Sequence, residues 1–387
     1  MIRIVHVISG LDLGGAEVML ARLVRGMDRT RFANQIVSLT TDGELGKDLK
    51  ADGIPVESLG MRRGRADVGG LFRLIRLLRE TRPALVQSWL YHADLLALVA
   101  SRVAGVRPLV WNLRCSDMDL SHYPRQTRWV LRTLALCSRL PDVVVVNSVA
   151  GQQQHQRVGY RPRRWEIIPN GFDTDRFRPD RSVGPRLREE LRLAEDTVLI
   201  ALVARVDPMK DHATFLAAAR QVATARANVH FVLAGKDTET LAPRVAELGL
   251  AGRVHILGPR HDVDRLIPGV DIACLTSAFG EGFPNVLGEA MAAGVPCITT
   301  DVGDARTIVA QTGAVVPPRD SQALAAAMID LIDRGPKARY ELGQVARARI
   351  ENEYSLVHIT ARYETLYENL LSGAHDYRLT AHRHTGI

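Results

Sequence analysis

Glu281 and Glu289 stand with seven residues between them in Ser277-Ala-Phe-Gly-Glu281-Gly-Phe-Pro-Asn285-Val-Leu-Gly-Glu289. Gly280 and Gly282 flank the first carboxylate and mark a loop, while Pro284 suits the first turn of a helix. A helix starting near Pro284–Asn285 leaves Glu281 in the loop and carries Glu289 about one turn in. An ionised carboxylate only accepts hydrogen bonds, so Glu281 suits sugar hydroxyls and Glu289 a ribose diol. Between them, the free amides of the helix start suit phosphate oxygens. Gly294-Val-Pro296 then stops the helix.

Two cations precede this run. Arg205 closes an apolar stretch, Ala201-Leu-Val-Ala-Arg205, and Lys210 follows across a turn containing Pro208. An arginine grips two oxygens at once and a lysine adds a mobile point charge, which together suit a diphosphate. Taken alone, the pair reads equally as solvated loop charges. Near the chain start, Gly14-Gly15 follows an apolar run and opens a helix at Ala16. Adjacent glycines allow close backbone approach and positive φ, and the helix start favours an anion. The run lacks G-x-G-x-x-G, so the dinucleotide fingerprint fails.

The elements that must carry these residues are short β-branched runs alternating with longer helical stretches. The first series is Ile2–Ile8, 35–39, 56–59, 85–87, 109–112, 143–147 and 166–168. The second is 198–203, 230–234, 254–257, 272–275, 297–300 and 314–316. A Pro-, Arg- and Asp-rich stretch over 169–185 separates them. Such alternation predicts α/β architecture: two doubly wound parallel-sheet, Rossmann-like domains facing across a cleft, with ligands beyond the carboxyl ends of the strands. The expected division is residues 1–174 on the acceptor side and 175–354 for the donor. A helix over 355–371 follows, and then a disordered polar tail over 372–387.

Composition narrows the class. Of 387 residues, 46% are hydrophobic and 24% charged, which excludes a disordered, collagen-like or coiled-coil chain. Cys115, Cys137, Cys274 and Cys297 form no C-x-x-C pair, which argues against a zinc knuckle and favours a reducing compartment. No run of 18 uncharged apolar residues is present and the first ten residues do not form a signal peptide, so a cytoplasmic location is expected. Residues 1–180 hold 27 Lys+Arg against 18 Asp+Glu, and the remainder 23 against 25. The excess positive charge thus lies in the first half and suits an anionic partner, although 45 of the 50 basic residues are Arg, which also fits codon bias.

The run from Glu281 to Glu289 resembles the E-x7-E motif of retaining family 4 glycosyltransferases of GT-B fold, of the kind that builds bacterial surface polysaccharides. Gly14-Gly15-Ala16-Glu17, Ile168-Pro-Asn-Gly-Phe172-Asp173, Arg205 with Lys210-Asp211, Leu257-Gly258-Pro-Arg260, Asp301-Val-Gly303 and Gly313 match it in order, over residues 1 to about 371. The resemblance implies a hexosyl transfer from a nucleotide-diphosphate sugar, with uridine the expected base, to a hydroxyl of a glycan or polyprenyl-linked glycan. It implies that Gly14 and Gly15 lie beside the donor phosphates and sugar, and that Arg205 and Lys210 hold the diphosphate as leaving group. Glu281 would bind donor-sugar hydroxyls, helped by backbone amides over Gly282, Phe283, Pro284 and Asn285. Val286 and Leu287 would line the nucleotide, Glu289 would bind ribose, and Arg260 would meet the base. His92, in Trp89-Leu-Tyr-His92-Ala-Asp94, matches a histidine facing the donor sugar. Two departures are Ala204, where the family has Gly, and Gly235-Lys236-Asp237, which lacks a second glycine.

Asp117-Met-Asp119 and Asp262-Val-Asp264 have the D-x-D form that holds a divalent ion in another transferase fold, but neither follows a strand at the nucleotide loop. No metal and no other cofactor is therefore expected. Two basic amphipathic helices suit an anionic membrane surface at its inner face. One sets Leu71, Leu74, Ile75 and Leu78 opposite Arg73, Arg76 and Arg79, after Arg62, Arg63 and Arg65; the other carries Arg125, Arg128, Arg132 and Arg139. Each reads equally as a solvated helix face. No nucleic-acid motif is present. The rival readings are a non-catalytic nucleotide-sugar-binding protein and a sugar-nucleotide epimerase of the same fold.

Overall fold

The computed structural model describes residues 1–12, 14–62, 67–114 and 125–373. Cys115, the Asp117–Asp119 triplet, Arg63, Arg65, the Arg125 side chain and residues 374–387 of the expected tail lie outside the described residues. Strands β1 (Ile2–Ile8), β2 (Phe32–Ser38), β3 (Val56–Ser58), β4 (Leu85–Trp89), β5 (Leu109–Leu113), β6 (Val143–Val146) and β7 (Trp165–Ile167) form one sheet, ordered β3-β2-β1-β4-β5-β6-β7. Strands β8 (Val198–Val203), β9 (Val229–Ala234), β10 (Val254–Gly258), β11 (Ile272–Leu275), β12 (Cys297–Thr300) and β13 (Gly313–Val316) form the second, ordered β10-β9-β8-β11-β12-β13. All pairings within the two sheets are parallel.

Parallel strands covered on both faces need apolar residues throughout rather than alternation. β6 is four valines, all buried, and every residue of β4, β5, β11 and β12 is buried. β2 starts earlier than expected, at Phe32, because that ring is 1% exposed and seals the edge of the first core.

Helices α1 (Gly15–Gly26), α2 (Gly43–Ala51), α3 (Val68–Thr81), α4 (Tyr91–Ala104), α5 (Arg125–Cys137) and α6 (Val149–Arg157) belong to the first lobe. The second lobe carries α7 (Val183–Glu190), α8 (His212–Ala225), α9 (Ala242–Glu247), α10 (Val263–Leu266), α11 (Asn285–Ala292), α12 (Ala305–Val309), α13 (Ser321–Asp333) and α14 (Gly335–Arg349). The last helix, α15 (Leu356–Leu371), returns to the first lobe and packs on α1. Its Ile359, Tyr363, Leu366 and Tyr367 join the core that holds Ile4 and Trp89.

The chain crosses between lobes twice, and the crossings run side by side. Phe172 N–H donates to the Tyr354 carbonyl at 2.9 Å, and Leu356 N–H to the Phe172 carbonyl at 2.8 Å. Phe172 stacks on Phe283, which also meets Tyr354. This apolar hinge therefore touches the loop expected to hold the donor. Gly288 makes room for it: a Cβ there would lie 2.1 Å from the Phe172 ring.

Candidate active site

Strand order reverses between β1 and β4 in one sheet and between β8 and β11 in the other. At a reversal the flanking connections leave in opposite directions, which opens a crevice beyond the carboxyl ends of the strands. Gly14 and Gly15 follow β1, His92 follows β4, Arg205 and Lys210 follow β8, and Glu281 to Glu289 follow β11. Arg260, beyond β10, stands away from a reversal.

Around Glu281 the loop is tightly built. The carboxylate is 7% exposed; it pairs with the Lys210 ammonium and accepts from Ser277 Oγ at 2.6 Å. Thr276 Oγ1 donates to the Lys210 carbonyl at 2.8 Å, and Thr300 Oγ1 to the Ser277 carbonyl at 2.6 Å, so the tips of β8, β11 and β12 hold one another. Gly303 has φ +62, and a Cβ there would lie 2.2 Å from the Glu281 carbonyl oxygen, so glycine is required. Asp304 next to it donates its N–H to the Gly282 carbonyl at 2.9 Å. Its carboxylate reaches the first lobe and accepts from the N–H groups of Val149 and Ala150 at 2.8 and 2.9 Å, at the start of α6. Burial raises the Asp304 carboxyl above its ordinary range, against those two donors.

Helix α11 begins at Asn285, as expected, with Pro284 at its N-cap. Asn285 faces the first lobe: its Oδ1 accepts from Asn170 Nδ2 at 2.7 Å, and a Cβ on Gly15 would stand 3.7 Å from its Nδ2. Arg114 Nη1 in turn donates to Asn170 Oδ1 at 2.7 Å. Glu289 is not open to the crevice alone. Its Oε1 accepts from Arg22 Nη2 at 2.9 Å, across the two lobes. Burial pushes the Glu289 carboxyl above its usual range, with Arg22 and then Arg176 opposing and Asp264 reinforcing the rise.

Other expected residues are placed differently. Gly14 has φ −142, and a Cβ there would fall 2.3 Å from the Glu17 carboxylate, which would have to shift. Leu287 is 1% exposed and belongs to the second-lobe core, and Val286, half-buried, packs against that core. Arg205 is largely exposed and pairs with Asp207 at 3.0 Å. Arg260 pairs with Asp262 at 2.7 Å and with Glu190 at 3.4 Å. His92, exposed in the first turn of α4, has no hydrogen-bond partner among the described residues, and burial of its base lowers its pKa.

Asp262 and Asp264, the described D-x-D pair, are each paired with a different arginine, Arg260 and Arg176. No group of three His, Cys, Asp or Glu side chains among the described residues is arranged to hold a metal ion. Cys137, Cys274 and Cys297 are free thiols.

Sequence reasoning missed Arg22, Asn170, Ser277 and Asp304. Ser277 sits four residues before Glu281 in the same loop, a spacing that pointed to it. The others act across the lobes, and no local pattern signals such contacts.

Two facing doubly wound lobes, each with its crevice at a strand-order reversal, constitute a GT-B fold. The solved structure of Anabaena Alr3699/HepE in complex with UDP-glucose is similar over 95% of this chain and 100% of that one, with a TM-score of 0.80 and 25% identity. A family model described as Glycosyltransferase Family 4 matches residues 13–176, and one described as Glycosyl transferases group 1 matches residues 197–334. The GDP-mannose-dependent alpha-(1-6)-phosphatidylinositol monomannoside mannosyltransferase of Mycobacterium tuberculosis (strain CDC 1551 / Oshkosh) is 31% identical over 279 residues, covering 68% of this chain and 70% of that one. The UDP-Gal:alpha-D-GlcNAc-diphosphoundecaprenol alpha-1,3-galactosyltransferase of Escherichia coli is 22% identical over 316 residues, covering 79% and 80%. The chain belongs to the family 4 glycosyltransferases.

Proposed function

We propose that this glycosyltransferase moves a hexosyl group, with retention of configuration, from a UDP-linked donor to a hydroxyl of a lipid-linked glycan. The observation that carries the reading is the meeting of Lys210, Ser277 and Glu281 at the β8/β11 reversal, facing Gly15 across the crevice through Asn285. The choice of donor and acceptor is supported by similar proteins, one seen with UDP-glucose and others named for diphosphoundecaprenol- and phosphatidylinositol-linked acceptors.

Breaking the bond from the anomeric carbon to phosphate builds negative charge on the departing diphosphate and positive charge on the sugar. Lys210 and Arg205 are the cations for that diphosphate, together with the amides at the start of α11. Lys210 leaves Glu281 for the phosphate, and Glu281 then accepts from donor-sugar hydroxyls. The acceptor oxygen attacks from the face the diphosphate leaves, and its proton passes to the departing phosphate oxygen. Glu281 is no nucleophile in this scheme; it positions. His92 faces the donor sugar and Arg260 the base, each after leaving its present surroundings. Residues 1–174 carry the acceptor and 175–354 the donor. Closing the lobes excludes water, so that transfer outruns hydrolysis.

No metal takes part in this scheme. Transfer assayed by product NMR should give the donor's anomeric configuration at an unchanged rate in chelator. Inversion, or activity lost in chelator and restored by manganese, would refute the mechanism.

The acceptor side carries the proposed membrane contact. No described helix is long and apolar enough to cross a membrane. Helices α3 and α5, both packed against α4, expose Phe72 (65%), Trp129 (68%) and Leu136 (86%) beside Arg73, Arg76, Arg128 and Arg132. Exposed aromatics among arginines suit anionic lipid at the inner face of the cell membrane. Vesicles rich in phosphatidylglycerol should co-sediment the protein at low salt and release it at high salt; no binding at low salt would refute the contact.

A further inference from the structure

We infer that Arg22, on the first helix of the N-terminal lobe, is a positioning residue that completes the nucleotide's ribose site in the C-terminal lobe by fixing the carboxylate of Glu289. The inference rests on the proposed role of Glu289 at the ribose.

Arg22 and Glu289 lie 267 positions apart, and the pair they form keeps only 13% and 15% of the side-chain surfaces exposed. Arg22 Nη2 donates to Glu289 Oε1 at 2.9 Å, while Arg22 Nη1 stands 3.5 Å from the Gly171 carbonyl at the hinge. The guanidinium is thus anchored at the crossing between lobes. It engages one carboxylate oxygen of Glu289; the other has no hydrogen-bond partner among the described residues. An ionised carboxylate accepts on both oxygens, whereas its protonated form turns one of them into a donor and leaves less acceptor capacity for a diol. Burial works against that ionisation, and Arg22 is the foremost group opposing it. The other charged groups acting on Glu289 are Arg176 and Asp264, and these are paired with each other at 2.9 Å. Arg22 is therefore the cation that answers Glu289.

The charge comes from the opposite lobe, which gives the arrangement a consequence. Glu289 is held and oriented by Arg22 only while the lobes are together. Ribose binding then favours closure by the same free energy with which closure favours ribose binding. Nucleotide would draw the two lobes together before the acceptor reacts.

Calorimetry with UDP and 2′-deoxy-UDP tests this on the full-length chain. The wild type should prefer UDP by about 10- to 100-fold, the worth of a hydrogen bond to a charged group. Arg22→Met should weaken that preference, and the preference should recover as pH rises, because burial raises the Glu289 carboxyl and Arg22 is the foremost group opposing that rise. Arg22→Lys should keep most of it throughout. Donor KM should rise in Arg22→Met with little change in kcat. Arg22→Gln serves if the methionine variant does not fold, and the same pH recovery is expected. Glu289→Gln should lose the preference at every pH. If Glu289→Gln loses it but Arg22→Met and Arg22→Gln keep it at all pH values, the positioning role is overturned. If Glu289→Gln keeps it, the ribose reading of Glu289 itself is wrong and the inference goes with it.

Discussion

Lys210→Ala should lower kcat by about two to three orders of magnitude, with donor KM changed far less, in a single-turnover transfer assay. The ammonium is mostly buried and meets Glu281, Ser277's partner, at the tip of β11. A preorganised charge in such a place costs little to orient when the diphosphate departs, so its loss falls on the transition state. The loop itself should survive the change. Its backbone is held by Thr276 Oγ1 on the Lys210 carbonyl and by Ala278 N–H on the Met209 carbonyl at 2.8 Å, neither of which needs the ammonium. Melting temperature should nonetheless fall, because Glu281 is left buried without the Lys210 ammonium. Arg205→Ala should also slow turnover, but less, because that guanidinium is 59% exposed and must leave Asp207 to engage. Near-wild-type kcat in both variants would remove the leaving-group assignment.

The second large effect concerns stability rather than chemistry. Asp271, at the start of β11 and thus at the opposite end of that strand from Ser277, answers two buried arginines. Its Oδ2 accepts from Arg188 Nη2 at 2.6 Å and from Leu199 N–H at 2.8 Å, and Arg339 Nη2 stands 3.6 Å from its Oδ1. Arg188 and Arg339 are 8% and 6% exposed; Arg188 Nε and Nη1 and Arg339 Nη1 reach main-chain carbonyls, while Arg339 Nε is buried with no hydrogen-bond partner among the described residues. Asp271→Ala leaves two guanidiniums buried without an acid, a change that costs about 3–5 kcal/mol. For a lobe of this size that lowers Tm by roughly 6–20 °C, measured by calorimetry. Activity assayed well below the melting range should remain, because the triad touches none of the crevice residues described above. An unchanged Tm would mean that both arginines reach water or another acid.

Most of the architecture was legible in the chain. Each strand among the described residues overlaps a β-branched run read from the sequence. Parallel strands covered on both faces must be apolar throughout, and helices between them must show the longer period, so both patterns are written locally. The start of α11 was equally legible, because Pro284 and the flanking glycines state a loop-to-helix change in consecutive residues. Chemistry carried by adjacent residues was visible in the same way: Glu281 with its loop, and the cations after β8.

What stayed hidden depends on where separate segments meet. Strand order is one case, since β1 beside β4 and β8 beside β11 follow from packing, yet those two reversals are what bring Gly15 toward Asn285. Arg22 against Glu289, Asn170 against Asn285 and Asp304 on the start of α6 are others. Periodicity along a chain reports which face of an element avoids water, and it carries no record of which distant charge will answer a buried one; that is settled when the lobes close and desolvation makes each unpaired group costly.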